Sequence, residues 1–340
     1  MSTTNGTTTH AHADPDGHFR RKPSSFRDTI SRSPDAKYPA EKGRYLLYMN
    51  FGCPWAHRAT VVRQLKGLEG VVEMVATDFD LTQDGWLFTG KNGSAEQDPV
   101  FGAKGLREVY LKVQPDYEGR YTVPCLFDKK TQTIVNNESS EIIRMFYEEF
   151  DELIPEEFRE RNKEGGGFFP EALRGEIEGM NEWVYDTVNN GVYKCGFATT
   201  QEAYDANIYP LFASLDRLEA HLSHPNHQPF LFGKHITEAD IRLYTTLIRF
   251  DAAYHTIFQC NLKSLRHDYP RLHLWLRRLY WDDTALTRGA FRDTTDFYAY
   301  RYGYAKARGR MLAKGHEGVV VVPAGPVVGI EALGEGEGLA

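Results

Sequence analysis

The stretch Gly52-Cys53-Pro54-Trp55-Ala56-His57-Arg58 decides how this chain is read. It follows an apolar run, Tyr45-Leu46-Leu47-Tyr48-Met49, that predicts a buried strand reaching Phe51, and it opens a segment of helical periodicity, Trp55 to Leu65. Cys53 therefore falls at a strand-to-helix turn. The first amide hydrogens of a helix have no partners within it and carry the positive end of its dipole, so a thiolate placed there is stabilised. Pro54 suits the first helical position, having no amide hydrogen to leave unpaired. A free cysteine titrates at about 8.5, and one at a helix start at roughly 3.5 to 7.5. That range predicts a lowered pKa for Cys53 and makes it the candidate nucleophile. The alternative is a buried structural cysteine, the commoner fate of a free thiol.

Strand, Cys-Pro and helix form the thioredoxin-like active-site layout, with Ala56 where the second cysteine of a C-x-x-C pair would stand. Without a resolving thiol in the motif, a disulfide formed on Cys53 is resolved by an outside thiol, of which glutathione is the obvious one. A strand at Val71 to Ala76 completes a β-α-β unit with a right-handed crossover. Thr77 to Gly119 is irregular around two apolar islands, Gly85 to Phe88 and Leu106 to Val113, and a loop of that length is usually functional or disordered. Trp86 favours function, the alternative being an indole that covers the edge of the core.

Residues from Arg120 to Val135 predict a hairpin whose first strand begins at Val123-Pro124. Proline at a strand start belongs to an edge or a special turn; in thioredoxin-like folds it is cis and faces the cysteine, leaving the backbone of Val123 to pair with an extended peptide ligand. Asn137-Glu138-Ser139-Ser140 opens a helix from Glu141 to Phe150. Ser139 is an N-cap or part of a carboxylate site. With Glu138 holding an ammonium, the pair could grip both ends of a free amino acid, such as the γ-glutamyl group of glutathione.

A chain of 340 residues with 41% apolar content has room for two domains with cores of their own. Its 47 acidic and 40 basic residues leave a net charge of −7, and no basic block interleaves with aromatics, so nucleic acid is not an expected partner. No stretch approaches the roughly 18 apolar residues of a membrane span. Met1 to Ala13 has neither the apolar core of a signal peptide nor an Arg-rich amphipathic pattern. Cys53, Cys125, Cys195 and Cys260 are far apart and match neither a secreted disulfide framework nor a metal pattern. A reducing cytoplasm is the expected location, with no metal.

The first forty or so residues are polar, with Phe19 and Phe26 as isolated anchors, which predicts an extended arm lying on the body. Beyond an acidic, Gly-rich segment the pattern turns wholly helical near Phe168, with helices expected at Leu173 to Asn189, Gln201 to Leu222, Glu238 to Tyr254 and Leu272 to Tyr280. Thr237-Glu238-Ala239-Asp240 fits a capping box. Tyr193 lies in a Gly-punctuated turn, where side chains can face a cleft. The abundant tyrosines of this half are core filling more often than ligand contacts. The last fifteen or so residues are expected to be mobile. The units are thus an arm at 1–43, a thioredoxin-like domain at 44–150, a linker at 151–167, a helical domain at 168–316 and a tail at 317–340.

A thioredoxin-like half followed by an all-helical half is the glutathione transferase arrangement. Cys-Pro-Trp-Ala-His-Arg at 53–58, Gly-Val-Tyr-Lys-Cys-Gly-Phe-Ala at 191–198, Ile-Thr-Glu-Ala-Asp-Ile-Arg-Leu at 236–243, Arg249-Phe250-Asp251 and Val322-Pro323-Ala324-Gly325-Pro326 together resemble the xi class, the glutathionyl-hydroquinone reductases. The resemblance runs from about residue 40 to 326. It implies glutathione-dependent reduction of S-glutathionyl hydroquinones to hydroquinones with release of glutathione disulfide, and a homodimer. It assigns Cys53 as nucleophile, Tyr193 as proton donor or acceptor, and Trp86, Arg120, Val123, Glu138 and Ser139 to glutathione. Tyr254 and Tyr304 resemble tyrosines near the reactive cysteine, Tyr304 only loosely, because Arg301-Tyr302-Gly303 replaces a more basic run. The rivals are an omega-like thiol transferase or dehydroascorbate reductase, and a non-catalytic binding module of the same fold.

Overall fold

The structure is a computed structural model that describes residues 13–82, 84–312, 319–322 and 329–339. The apolar run becomes strand β1 (Tyr45–Asn50), buried along its whole length. It is buried because it is interior: β2 (Glu73–Thr77) pairs with it in parallel on one side and β3 (Cys125–Asp128) antiparallel on the other. With β4 (Thr133–Asn136) the sheet has the order β2-β1-β3-β4. Helix α1 (Pro54–Leu65) connects the parallel pair, as the β-α-β pattern requires. Helices α2 (Leu106–Val113) and α3 (Ser139–Glu148) complete this half.

The helical half contains α4 (Arg174–Val184), α5 (Gly191–Gly196), α6 (Gln201–His221), α7 (Glu238–Leu247), α8 (His255–Ile257), α9 (Leu265–Asp268), α10 (Pro270–Trp281), α11 (Ala290–Asp293) and α12 (Tyr304–Leu312). Helix α1 packs against α3 on its own side and against α7 across the junction. Thr237 and Asp240 form the expected capping box at the start of α7.

Several expectations shift. The second strand runs from Glu73 to Thr77 rather than from Val71, and the hairpin strand starts at Cys125, one residue past Pro124. The Val123-Pro124 bond is cis, as expected. The second apolar island of the irregular segment is helix α2, whose Leu106, Val109 and Tyr110 are buried on one face. Its start at Gly105 has no side-chain cap to announce it. Helix α3 begins at Ser139, two residues earlier than expected, and its cap is Glu138 rather than Ser139. Tyr193 lies within α5 rather than in a turn, and wide π turns at Tyr185–Asn189 and Phe250–Tyr254 interrupt the expected long helices.

The arm lies on the body as expected. Phe19 packs on Tyr193 and Phe197, and Phe26 on Tyr110 and Tyr117. The Asp28 amide donates to the Val135 carbonyl at 3.0 Å. The expectation of a mobile C-terminus fails for residues 329–339. Ile330 is buried, Trp281 Nε1 donates to the Glu331 carbonyl at 2.8 Å, and Arg277 pairs with Glu337 at 2.7 Å. Residues 323–326 of the motif Val322 to Pro326 lie outside the described residues, as do residues 1–12.

Candidate active site

Chain direction at the end of β1 brings Cys53 to the N-cap of α1, with Pro54 at the first helical position. The Ala56 amide donates to Cys53 Sγ at 3.5 Å, and the thiol donates to the Val123 carbonyl at 3.4 Å. The residue before Pro124 thus sets a backbone acceptor against the sulfur. The expected lowering of the Cys53 pKa is not what this environment produces: burial pushes the thiol up, opposed by the helix-start amides, Arg249 and Arg21. Stripping water from a thiolate costs more than two amide hydrogens return.

Cys53 opens into a cleft of about 530 Å³ between the two halves. Trp86, Arg120, Val123, Glu138 and Ser139 line it, as do Tyr193 and Tyr304. Every assigned residue except Tyr254 thus faces one space. Glu138 caps α3, accepting from the Ser140 amide at 3.1 Å, and its other carboxylate oxygen accepts from Ser24 of the arm at 3.0 Å. Behind Ser139, the buried Arg58 donates to its hydroxyl at 3.4 Å and to Asn189 at 2.9 Å. Burial pulls the Arg58 guanidinium down to about 9.

Tyr304, the loosest of the assignments, is the hub of the opposite wall. Its hydroxyl donates to the Gly52 carbonyl at 3.2 Å, next to the nucleophile, and lies 2.7 Å from Tyr193 Oη and 3.0 Å from Tyr254 Oη. A phenol has one hydrogen to give and two lone pairs. With its hydrogen on Gly52, Tyr304 accepts from both Tyr193 and Tyr254. Tyr254 stands behind the pair, fully buried. Burial pushes the Tyr193 phenol up, a negative charge on Cys53 adds to this, and Arg21 with the other two hydroxyls pulls it back. The thiol and the phenol therefore resist being ionised together.

Two cations escaped the sequence assignments. Arg249, fully buried, donates to the carbonyls of Gly52 at 3.1 Å and Phe51 at 3.2 Å and to His57 Nδ1 at 3.0 Å, fixing the cysteine loop from the helical half. The motif Arg249-Phe250-Asp251 was its only signal in the sequence. Arg21 stands in the arm, where no pattern marks it. Cys125 is structural: it is buried in the sheet and pushed up to about 12. Among the described residues no cluster of three or more His, Cys, Asp or Glu side chains could hold a metal ion, and no helix is long and apolar enough to cross a membrane.

A mixed sheet with cysteine at its helix start, closed by a helical half that carries the opposite wall of the cleft, is the arrangement of a glutathione transferase. Models of that family match twice: the glutathione S-transferase N-terminal domain over residues 52–149 and the C-terminal domain over 201–278. Glutathione S-transferase omega-like 2 of Schizosaccharomyces pombe is 45% identical over 317 residues, 93% of this chain and 96% of that protein. Glutathionyl-hydroquinone reductase YqjG of Escherichia coli is 45% identical over 270 residues, 78% of this chain and 79% of its own. Among solved structures, glutathione-S-transferase Xi from Phanerochaete chrysosporium superposes with a TM-score of 0.83 at 46% identity, covering 93% of this chain and all of that one. The Xi glutathione transferase ECM4 from Saccharomyces cerevisiae in complex with glutathione gives 0.82 at 38%, covering 92% of this chain and 100% of the other. The chain belongs to the glutathione transferase family, and within it to the Xi class.

Proposed function

We propose that this protein is a glutathionyl-hydroquinone reductase, using glutathione as co-substrate and no metal. The observation that carries the reading is a lone cysteine at a helix start, in one cleft with a tyrosine whose hydroxyl is hydrogen-bonded into a second tyrosine's. The Cys53 thiolate attacks the sulfur of the glutathionyl group; the bond between sulfur and aromatic carbon breaks, and Tyr193 delivers a proton to that carbon as the hydroquinone leaves. Cys53 is then joined to glutathione by a disulfide. A second glutathione attacks the sulfur of the bound glutathione, releasing glutathione disulfide and returning a proton to Tyr193.

Trp86, Arg120, Val123, Glu138 and Ser139 hold the glutathione moiety. The backbone of Val123 pairs with the peptide, and the start of α3 receives the γ-glutamyl carboxylate. Tyr254 and Tyr304 tune the thiolate and the proton donor. The domain limits proposed from the sequence, 44–150 for the glutathione-binding half and 168–316 for the substrate half, put this cleft at their junction. The class resemblance supports a homodimer, and four free cysteines fit a reducing cytoplasm, which sedimentation of the purified protein and imaging of a tagged chain test.

The deciding experiment is the intact mass of the protein mixed with a glutathionyl hydroquinone such as glutathionyl-menadiol, with no added glutathione. Wild type gains one glutathionyl mass and releases the aromatic, while Cys53→Ala does neither. Uptake of mass by the Cys53→Ala variant, or none by wild type, overturns the mechanism. Omega-like thiol transfer is separated by Tyr193→Phe, which leaves reduction of a small mixed disulfide intact and slows release of the hydroquinone.

A further inference from the structure

The proposed reaction moves one negative charge back and forth. It begins on Cys53 Sγ. When that sulfur forms its bond to the glutathionyl sulfur and Tyr193 gives its proton to the departing carbon, the charge has passed to Tyr193 Oη. When the second glutathione surrenders its thiol proton to Tyr193 and expels the Cys53 thiolate, the charge returns. A cation that faces both atoms stabilises every stage of the cycle, whereas one facing a single atom favours one stage over the other.

Arg21 faces both. Its guanidinium lies 4.5 Å from the ring of Trp55, the residue directly after Cys53-Pro54, and 5.2 Å from the Tyr193 ring. It is fixed in place: Nε donates to Asn190 Oδ1 at 2.8 Å, and the Phe19 ring lies 5.4 Å away, two residues earlier in the arm. Asn190 is buried, at the junction between the π turn and α5, so the anchor is set by the same segment that carries Tyr193. Trp55 is held between Arg21 and Arg58, each 4.5 Å from its ring. The other groups around the two reacting atoms are placed differently. Arg249 stands behind the cysteine loop on Gly52, Tyr304 and Tyr254 are neutral hydroxyls, and Lys22, Arg27, Arg120 and Glu138 line the same cleft without a ring contact to Tyr193. His57, behind Arg249, is buried and held neutral.

We propose that Arg21, delivered by the N-terminal arm, is a positioning residue for this reaction, holding the single negative charge of the cycle as it passes between Cys53 and Tyr193. The proposal rests on the reductase reading. The arm lies outside both matched domains, which begin at residues 52 and 201. The site of this chain is therefore completed by a segment that the two-domain frame does not contain. Consistent with the geometry, Arg21 draws both the Cys53 thiol and the Tyr193 phenol down, against the burial that pushes them up.

The test uses the full chain with Arg21→Met, which keeps an unbranched stem over Trp55, and Arg21→Lys, which keeps the charge. Alkylation of Cys53 by iodoacetamide is followed across the neutral and alkaline range, with Cys53→Ala as blank; the reagent is uncharged, so its approach is not steered. Arg21→Met should move the profile toward higher pH and slow alkylation at neutral pH by about three- to tenfold, the effect of losing one nearby opposite charge. Arg21→Lys should recover most of the rate. In single turnovers with glutathionyl-menadiol the same order should hold for release of the aromatic and for resolution by glutathione. A methionine profile that overlays wild type, or a lysine variant as slow as methionine, overturns the proposal and leaves Arg21 as packing. Should Arg21→Met fail to fold, Arg21→Gln carries the same comparison. Wild type that takes up no glutathionyl mass would sink the reductase reading and with it the role of Arg21 in that cycle, whatever the alkylation shows. Mass uptake with Arg21-independent alkylation would sink that role alone.

Discussion

Replacing Tyr304 with phenylalanine removes one oxygen and leaves the ring in place, which makes it the sharpest probe of the tyrosine wall. That oxygen accepts from Tyr193 at 2.7 Å and from Tyr254 at 3.0 Å and donates to Gly52 at 3.2 Å. In the resting site it holds the Tyr193 proton. Once Tyr193 has given its proton away, the tyrosinate becomes the acceptor and Tyr304 turns its own hydrogen toward it, a hydrogen bond to a charged group worth about 1.5 to 3 kcal/mol. Its loss should slow release of the hydroquinone in a single turnover by roughly 10- to 150-fold.

Stability should fall by about 1 to 3 kcal/mol, because the fully buried Tyr254 is left without its acceptor. Gly52 keeps Arg249 as a donor, so the cysteine loop should hold. The assay is stopped-flow release of menadiol from its glutathionyl adduct by Tyr304→Phe, Tyr193→Phe and wild type, with urea unfolding alongside. Release by Tyr304→Phe within about twofold of wild type, while Tyr193→Phe is strongly impaired, would refute the relay: Tyr193 would then act without Tyr304.

Three further outcomes follow from the packing around the site. Lys66 is wholly buried, 2.9 Å from Asp151 and 3.3 Å from Glu160, so Lys66→Met strands two buried carboxylates and should cost about 3 to 5 kcal/mol in urea unfolding. His57 accepts from Arg249 and donates to Thr294, and burial with the Arg249 charge holds its pKa well below the ordinary value. A proton is thus bound more readily by His57 in the unfolded chain, so stability is complete above the unfolded value of about 6.5 and is lost as pH falls below it, by at most about 1.4 kcal/mol per pH unit. Unfolding titrations of His57→Gln should lack that component. Removing residues 329–340 uncovers the surface around Ile330 and should lower stability by about 1.5 to 3 kcal/mol, read by urea melts.

What the sequence revealed of this molecule is what local rules govern. A Cys-Pro helix start, a strand-helix-strand order and the Thr237 capping box each depend on a few neighbouring residues, and each is present; the cis Val123-Pro124 bond was legible only through the thioredoxin-like pattern. Helix α2 was missed for the same reason, since Gly105 offers no capping side chain and only the burial of Leu106, Val109 and Tyr110 reveals its face. The tail was misjudged because its ties, Arg277 to Glu337 and Trp281 to Glu331, reach back fifty or more positions.

The sign of the Cys53 pKa shows where local reasoning ends. A helix start supplies its amide hydrogens wherever it occurs, but their effect on a thiol is set against desolvation, and desolvation is a property of everything packed around the sulfur. Here that includes the helical half, whose Arg249 also fixes the two carbonyls before the cysteine. The charges that oppose burial come from the arm and from that same half, at positions 21 and 249, so no window around residue 53 contains them. The motif can name the nucleophile, but its reactivity belongs to the assembled cleft. Substitutions distant in sequence, at Arg21 or Arg249, should therefore alter the thiol more than conservative changes within α1 that keep the Ala56 amide in place.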